Sequence, residues 1–197
     1  MANPVWTDRL YPAAMEWRLM KAGAQFRSPF TGSLQAVSFV GEYWAINVSF
    51  SGEGRVRANS GELEATLMYL AGGVNQVDIF HWARPQPRGT MRGSPTVQTV
   101  ASRGDATLVL TVASGATLLA GDLFHAGSQV FMVRTNCTAV STTLTVPLVN
   151  RVRGTIAQAS PVLWDRPLLT VVAPELSAGL VYRPGMTLPA DLMLVEP

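Results

Sequence analysis

Two histidines and one cysteine are the residues on which nucleophilic or metal chemistry would have to rest in this chain of 197 residues. His81 falls in a predicted strand and His125 in a turn. Neither has a second His, a Cys or a carboxylate at metal-ligand spacing, so a structural role is expected of each. Cys137 stands alone, which excludes an intrachain disulfide and predicts a buried, inert thiol. Ser-His-Asp catalysis needs a recognisable nucleophile context, yet there is no Gly-X-Ser-X-Gly elbow and serine occurs mostly in turns. Glu62 and Glu64 are the acids closest to a pair. They sit in the first turn of a predicted helix, where the positive end of the dipole explains them, and two residues apart they point to different faces. No catalytic, cofactor or metal-ligating residues are expected, and the chain does not read as an enzyme.

Basic clusters are the remaining candidates. Arg55 with Arg57 and Arg151 with Arg153 would each project to one side of an extended chain, and Arg84, Arg88 and Arg92 follow one another closely. A net charge of +2 is too small to argue for nucleic acid, and no aromatic residues interleave the arginines as single-strand binding requires. Gly52-Glu53-Gly54-Arg55 resembles a phosphate loop only superficially, because no helix begins directly on it.

The elements that must position these residues centre on the stretch from Trp44 to Trp82. Trp44, Ile46, Val48 and Phe50 alternate with Ala45, Asn47 and Ser49, the period of a strand with one buried face. Gly52 and Gly54 break it. Asn59 or Ser60 caps a helix that Gly72 and Gly73 end, with Leu63, Leu67 and Leu70 on one stripe. So short a helix is marginal in water, and its leucines are expected to pack on the face of Trp44, Ile46, Val48 and Phe50. Val77, Ile79 and His81 then alternate with Asp78, Phe80 and Trp82, giving a strand-helix-strand unit. Upstream, Met15, Trp17 and Leu19 mark a first strand. Phe26 precedes a turn-rich loop at Ser28 to Gly32, and Leu34 to Phe39 form a strand expected to pair with the Trp44 strand.

Residues 83–93 hold two prolines and two glycines, so they read as a linker. Short strands follow around Leu108 to Val112, Gln129 to Thr135 and Leu144 to Leu148, with turns about every ten residues and no helical period, which indicates a small all-β barrel or sandwich. Trp82, Arg84 and Pro85 before this module are echoed by Trp164, Arg166 and Pro167 after it. Two linkers that leave and re-enter side by side would give this pattern, each Trp plugging the seam and each Pro stiffening the exit. Strands at Leu168 to Val172, Leu180 to Tyr182 and Leu192 to Val195 would complete the first domain's sheet. The expected organisation is a mainly β (α+β) fold: residues 1–84 with 166–197 as a discontinuous host carrying one packed helix, and residues 95–164 as an inserted β-module.

Hydrophobic residues make up 48% of the chain and charged residues only 14%, so its surface must be poor in charge, which points to extensive protein contacts. The N-terminus lacks a basic region followed by an apolar one, and no window approaches the ~18 apolar residues of a membrane span, so a soluble protein made in a cytoplasm is expected.

Several stretches resemble the distal tail proteins of long-tailed bacteriophages, softly but over most of the chain. They are Met15-Glu16-Trp17-Arg18-Leu19 with Phe26 and Ser28-Pro29-Phe30-Thr31-Gly32, the approach Gly41-Glu42-Tyr43-Trp44, and the insert, whose Leu118-Leu119-Ala120-Gly121-Asp122 turn is the most specific part. The ending Leu192-Met193-Leu194-Val195-Glu196 is similar too. A departure is the compact length, which lacks the large carbohydrate-binding C-terminal domain of some relatives. The resemblance implies a tail-tube-like β-sandwich or split barrel, assembled as a homo-hexameric ring at the virion tail tip between the tail tube protein and the tail hub protein that carries the fibres. It implies no cofactor, no membrane and no sequence-specific nucleic acid, the genome passing through the ring lumen. A receptor- or carbohydrate-binding module is the alternative; a wall hydrolase ranks third.

Overall fold

A computed structural model describes residues 3–51, 58–175, 179–183, 186–187 and 189–197. Gly52, Gly54, Arg55 and Arg57 lie outside the described residues. The protein is mainly β, with 40% of the chain in strands, 7% helical and one helix among the described residues. Strands β1 (Ala14–Met20), β2 (Gly23–Arg27), β3 (Leu34–Ser38) and β4 (Tyr43–Phe50) precede the helix α1 (Ser60–Leu70). After it come β5 (Val77–Ile79), β6 (Thr96–Val97), β7 (Thr107–Thr111), β8 (Thr117–Leu118), β9 (Leu123–Ala126) and β10 (Gln129–Met132). Next are β11 (Cys137–Thr138), β12 (Thr143–Pro147), β13 (Val162–Leu163) and β14 (Leu169–Val171). The last are β15 (Tyr182–Arg183), β16 (Met186–Thr187) and β17 (Ala190–Val195). The chain divides into two compact units, one of Met1–Arg18, Trp44–Ala83 and Leu168–Pro197, the other of Leu19–Tyr43 and Arg84–Pro167.

In the first unit β4 lies between β1 and β17. Apolar residues face each other across β4 and β17, with Leu192 opposite Val48 and Leu194 opposite Ile46, the pairing that stabilises an antiparallel ladder. Glu196 closes the end of that pair: its backbone N–H donates to the Trp44 carbonyl at 2.9 Å and its carboxylate accepts from the Trp44 N–H at 3.0 Å. Trp44, Ile46, Val48 and Phe50 are all buried, as are Leu63, Leu67 and Leu70 on α1. Asn59 is the N-cap, but its side chain makes no capping hydrogen bond, so of the expected cap only the position holds. At the other end Gly72 and Gly73 take φ of +90° and +70°, a left-handed region that glycine enters without penalty, and so stop the helix. The strand after the helix joins a separate sheet: β5 pairs with β14, while β17 rather than β14 completes the sheet of β4.

The N-terminal segment, to which periodicity assigns nothing, is part of this unit's core. Trp6 and Leu10 are 3% and 0% exposed. The Asp78 N–H donates to the Pro4 carbonyl and the Trp6 N–H to the Asp78 carbonyl, each at 2.9 Å, so the segment runs alongside β5. Trp6 stacks on Phe50 with ring centroids 5.8 Å apart and meets the edge of Trp82 at 6.3 Å.

The second unit contains the sheets β12-β7-β6 and β10-β9-β13 and the pair β11-β8. Leu110 faces Leu144 and Leu108 faces Val146 across β7 and β12, all four buried in a core that also holds Phe124 and Phe131. Three expectations are corrected here. Phe26 lies in a strand, β2, and precedes the turn at Ser28 to Gly32 as expected, but β3 pairs with β2 instead of β4. His125 lies in β9 opposite Val130, not in a turn. Residues 19–43, read from the sequence as part of the host, group with the second unit, because Glu42 accepts from the Arg151 N–H at 2.8 Å and Arg103 donates to the Val40 carbonyl at 3.3 Å.

Leu67→Ala should lower stability by about 2–5 kcal/mol, the cost of a cavity at a buried leucine. Chemical denaturation read by circular dichroism checks this, and an unchanged midpoint would remove Leu67 from the core.

Candidate functional site

Residues 83–93, which composition reads as a linker, form a packed strap. Pro87, Gly89 and Met91 are buried, and Met91 belongs to the core of the second unit. Prolines and glycines keep the strap out of any sheet, so its backbone groups must find other partners. One carboxylate supplies them. Asp122, 4% exposed, accepts from the backbone N–H groups of Arg88 and Gly89 at 3.0 Å each and from its own turn's Leu119 N–H at 2.8 Å. Gly89 has no room for a side chain, since a Cβ there would stand 2.2 Å from the Thr117 carbonyl oxygen. Gly121, at φ +86°, turns the chain into this arrangement.

The three arginines of the strap are spent on the same structure. Arg84 donates to the Gly121 carbonyl at 3.0 Å, and Arg88 donates to the Ala120 carbonyl. Arg92 donates to the Met91 and Gly89 carbonyls and lies 4.8 Å over the Trp164 ring. Partial burial, and then the neighbouring Arg88 charge, push the Arg84 guanidinium below its ordinary pKa, with Asp122 pulling the other way. Around Arg151 and Arg153 the polar groups are likewise engaged: Gln129 donates to the Arg151 carbonyl at 2.8 Å and accepts from the Arg153 N–H at 3.0 Å.

The repeated Trp-X-Arg-Pro segments divide their tasks. The Arg166 N–H donates to the Pro85 carbonyl at 2.7 Å, and Gln86 donates to Asp165 at 3.0 Å, so the two strands of linker run side by side. Trp82 packs in the first unit against Trp6, Tyr11 and Phe80. Trp164 is only half-buried and donates to the Gly93 carbonyl at 2.8 Å within the second unit.

Candidate reactive groups are placed separately. His81 lies just past the end of β5 rather than in a strand, because that strand stops at Ile79, and it is buried against the Trp17 ring, centroids 5.3 Å apart; His125 sits in the other unit's sheet. Glu62 accepts from the Thr7 hydroxyl at 3.3 Å and Glu64 from the Tyr182 hydroxyl at 3.0 Å, so the two acids serve different faces of the helix. Burial pushes the Cys137 thiol above its ordinary pKa. Among the described residues no three His, Cys, Asp or Glu side chains gather where they could hold a metal ion, and no helix is long and apolar enough to cross a membrane.

Two apolar surfaces stand out among the described residues. In the first unit, the N-terminal segment and α1 enclose an open apolar groove of about 590 Å³, lined by Pro4, Val5, Leu10, Ala65 and Tyr69 among others, with Glu62 its one charge among the described lining residues. In the second, the β2-β3 hairpin leaves Phe26, Phe30, Leu34, Val37 and Phe39 exposed. Sequence reasoning noticed neither, since the hairpin's strand β2 shows one isolated apolar residue and the groove is made by chain segments far apart in sequence.

No protein-family model matches this chain, and no curated protein matches it.

Asp122→Ala should destabilise the protein by about 2–4 kcal/mol, because it strands buried backbone donors. Asp122→Asn should cost nearly as much, since the amide turns an NH₂ group toward an N–H that needs an acceptor. Gly89→Ala should match them through the backbone clash; thermal unfolding of the three variants tests the node, and a neutral Gly89→Ala would break the argument. In the native protein Cys137 should react with an aromatic disulfide reagent more slowly than after denaturation, because partial burial limits access to the sulfur and disfavours the thiolate that reacts.

Proposed function

We propose that this protein is a structural subunit of a bacteriophage tail tip, a distal-tail-like protein whose copies form a homo-hexameric ring joining the tail tube protein to the tail hub protein and its fibres. The observation that carries this reading is the β2-β3 hairpin, a two-stranded sheet whose large apolar residues stand in solvent in a single copy. Surface of that kind marks a protein contact. The resemblance of the turn at Gly121 and Asp122 and of the Met15 to Gly32 stretch supplies the identity of the assembly.

A sugar-binding module is the weaker reading. In the inserted module it would need an open aromatic platform, whereas Phe124 and Phe131 there are buried and Arg92 covers a face of Trp164. Localisation on assembled virions decides between structural and other roles: antibody labelling should mark the tail tip, and negative-stain images of the purified protein at high concentration should show rings with a central hole. Label on the capsid, or absence from particles, would overturn the proposal.

A further inference from the structure

The hairpin is a preformed plug. Its tip is held by its own hydrogen bonds: Ser28 N–H donates to the Ser33 carbonyl and Gly32 N–H to the Ser28 carbonyl, each at 2.9 Å. The Ser28 hydroxyl accepts from the N–H groups of Phe30 and Thr31 at 3.3 and 3.2 Å. This ordered turn presents Phe30 at 96% exposure. Side chains alternate along the strands, so the register of Ala24 with Val37 and Phe26 with Gln35 places Phe26, Val37 and Phe39 on one face. With about 150–250 Å² per aromatic side chain, the three phenylalanines alone leave on the order of 400 Å² uncovered, half of the ~800 Å² per partner that a standard interface buries.

The same chain carries a receptacle. The groove between the N-terminal segment and α1 is apolar and, at about 590 Å³, roomy enough for a phenylalanine with a neighbouring residue. Charge agrees as well. From Leu19 to Gly41 the chain has Lys21 and Arg27 and no acidic residue, whereas the groove's charge is Glu62.

We infer that the β2-β3 hairpin of one copy docks its Phe30 tip into the groove between residues 4–10 and α1 of the next copy. The two patches differ, so the contact is heterologous and propagates from copy to copy, closing into a ring or running on as an open chain. The inference deepens the ring reading and rests on it for its occupant, a second copy of this chain. A tip ordered before contact loses little freedom on docking, which favours the association.

Two single-cysteine proteins test it, both in a Cys137→Ser background: one carries Thr31→Cys beside the intact Phe30, the other Ala65→Cys on the groove wall. Mixed at a concentration where copies associate and treated with a short bismaleimide, they should yield a linked pair at least tenfold above either protein alone. Equal linkage in Thr31→Cys alone means that tips meet each other, and no linkage in the mixture means that the tip does not enter the groove; either result overturns the inference. Rings without linkage would overturn it and leave the ring reading intact. Linked dimers or open chains without rings would support it and overturn the ring reading. Phe30→Asp, at an exposed position that should not affect folding, should raise the concentration needed for association at least tenfold, and an unchanged value counts against the docking.

Discussion

The carboxylate of Asp122 is the point on which the second unit's construction depends. A strap containing Pro85, Pro87, Gly89 and Gly93 cannot enter a ladder, yet it covers a core and therefore buries backbone donors. Asp122 answers with acceptors for the strap and for its own turn, and a buried anion needs those donors as much as they need it. The glycine at 89 makes the approach possible. Neither device works without the other, since the N–H of residue 89 reaches the carboxylate only where a Cβ would strike the Thr117 backbone.

The core of the first unit was legible because its signals are local. Trp44, Ile46, Val48 and Phe50 keep the period of a strand, Leu63, Leu67 and Leu70 that of a helix, and burial follows both. Pairing is a different kind of information. The turn joining β2 to β3 is longer than the tightest hairpin connections, and the strand carries one large apolar residue, so nothing in periodicity announced that Leu34 to Ser38 would turn back on Gly23 to Arg27 rather than run on to Tyr43.

The strap shows a second limit. Prolines and glycines report where a sheet or helix is impossible, and a free linker and a packed irregular segment share that property. The distinguishing signal lay in company: apolar Pro87 and Met91 among the arginines, and a lone acid in the Gly121-Asp122 turn. Trp6 and Leu10 were missed for a related reason, because a single turn's worth of apolar residues gives no period to detect, although both end in the core.

The charge-poor composition takes on physical meaning when its apolar residues are followed to their places. Many lie in two cores, where folding accounts for them. The phenylalanines of the hairpin do not, for a two-stranded sheet with both outer edges unpaired gains little stability from side chains that water surrounds. Left uncovered, such a surface is a liability that edge charges and bulges ordinarily suppress. Here it is instead reinforced, with a hydrogen-bonded tip that fixes Phe30 outward. On the docking proposed above, the exposed aromatic at the end of this ordered arm gains a contact outside its own copy, and contact between unlike patches is the kind from which extended or ring assemblies are built.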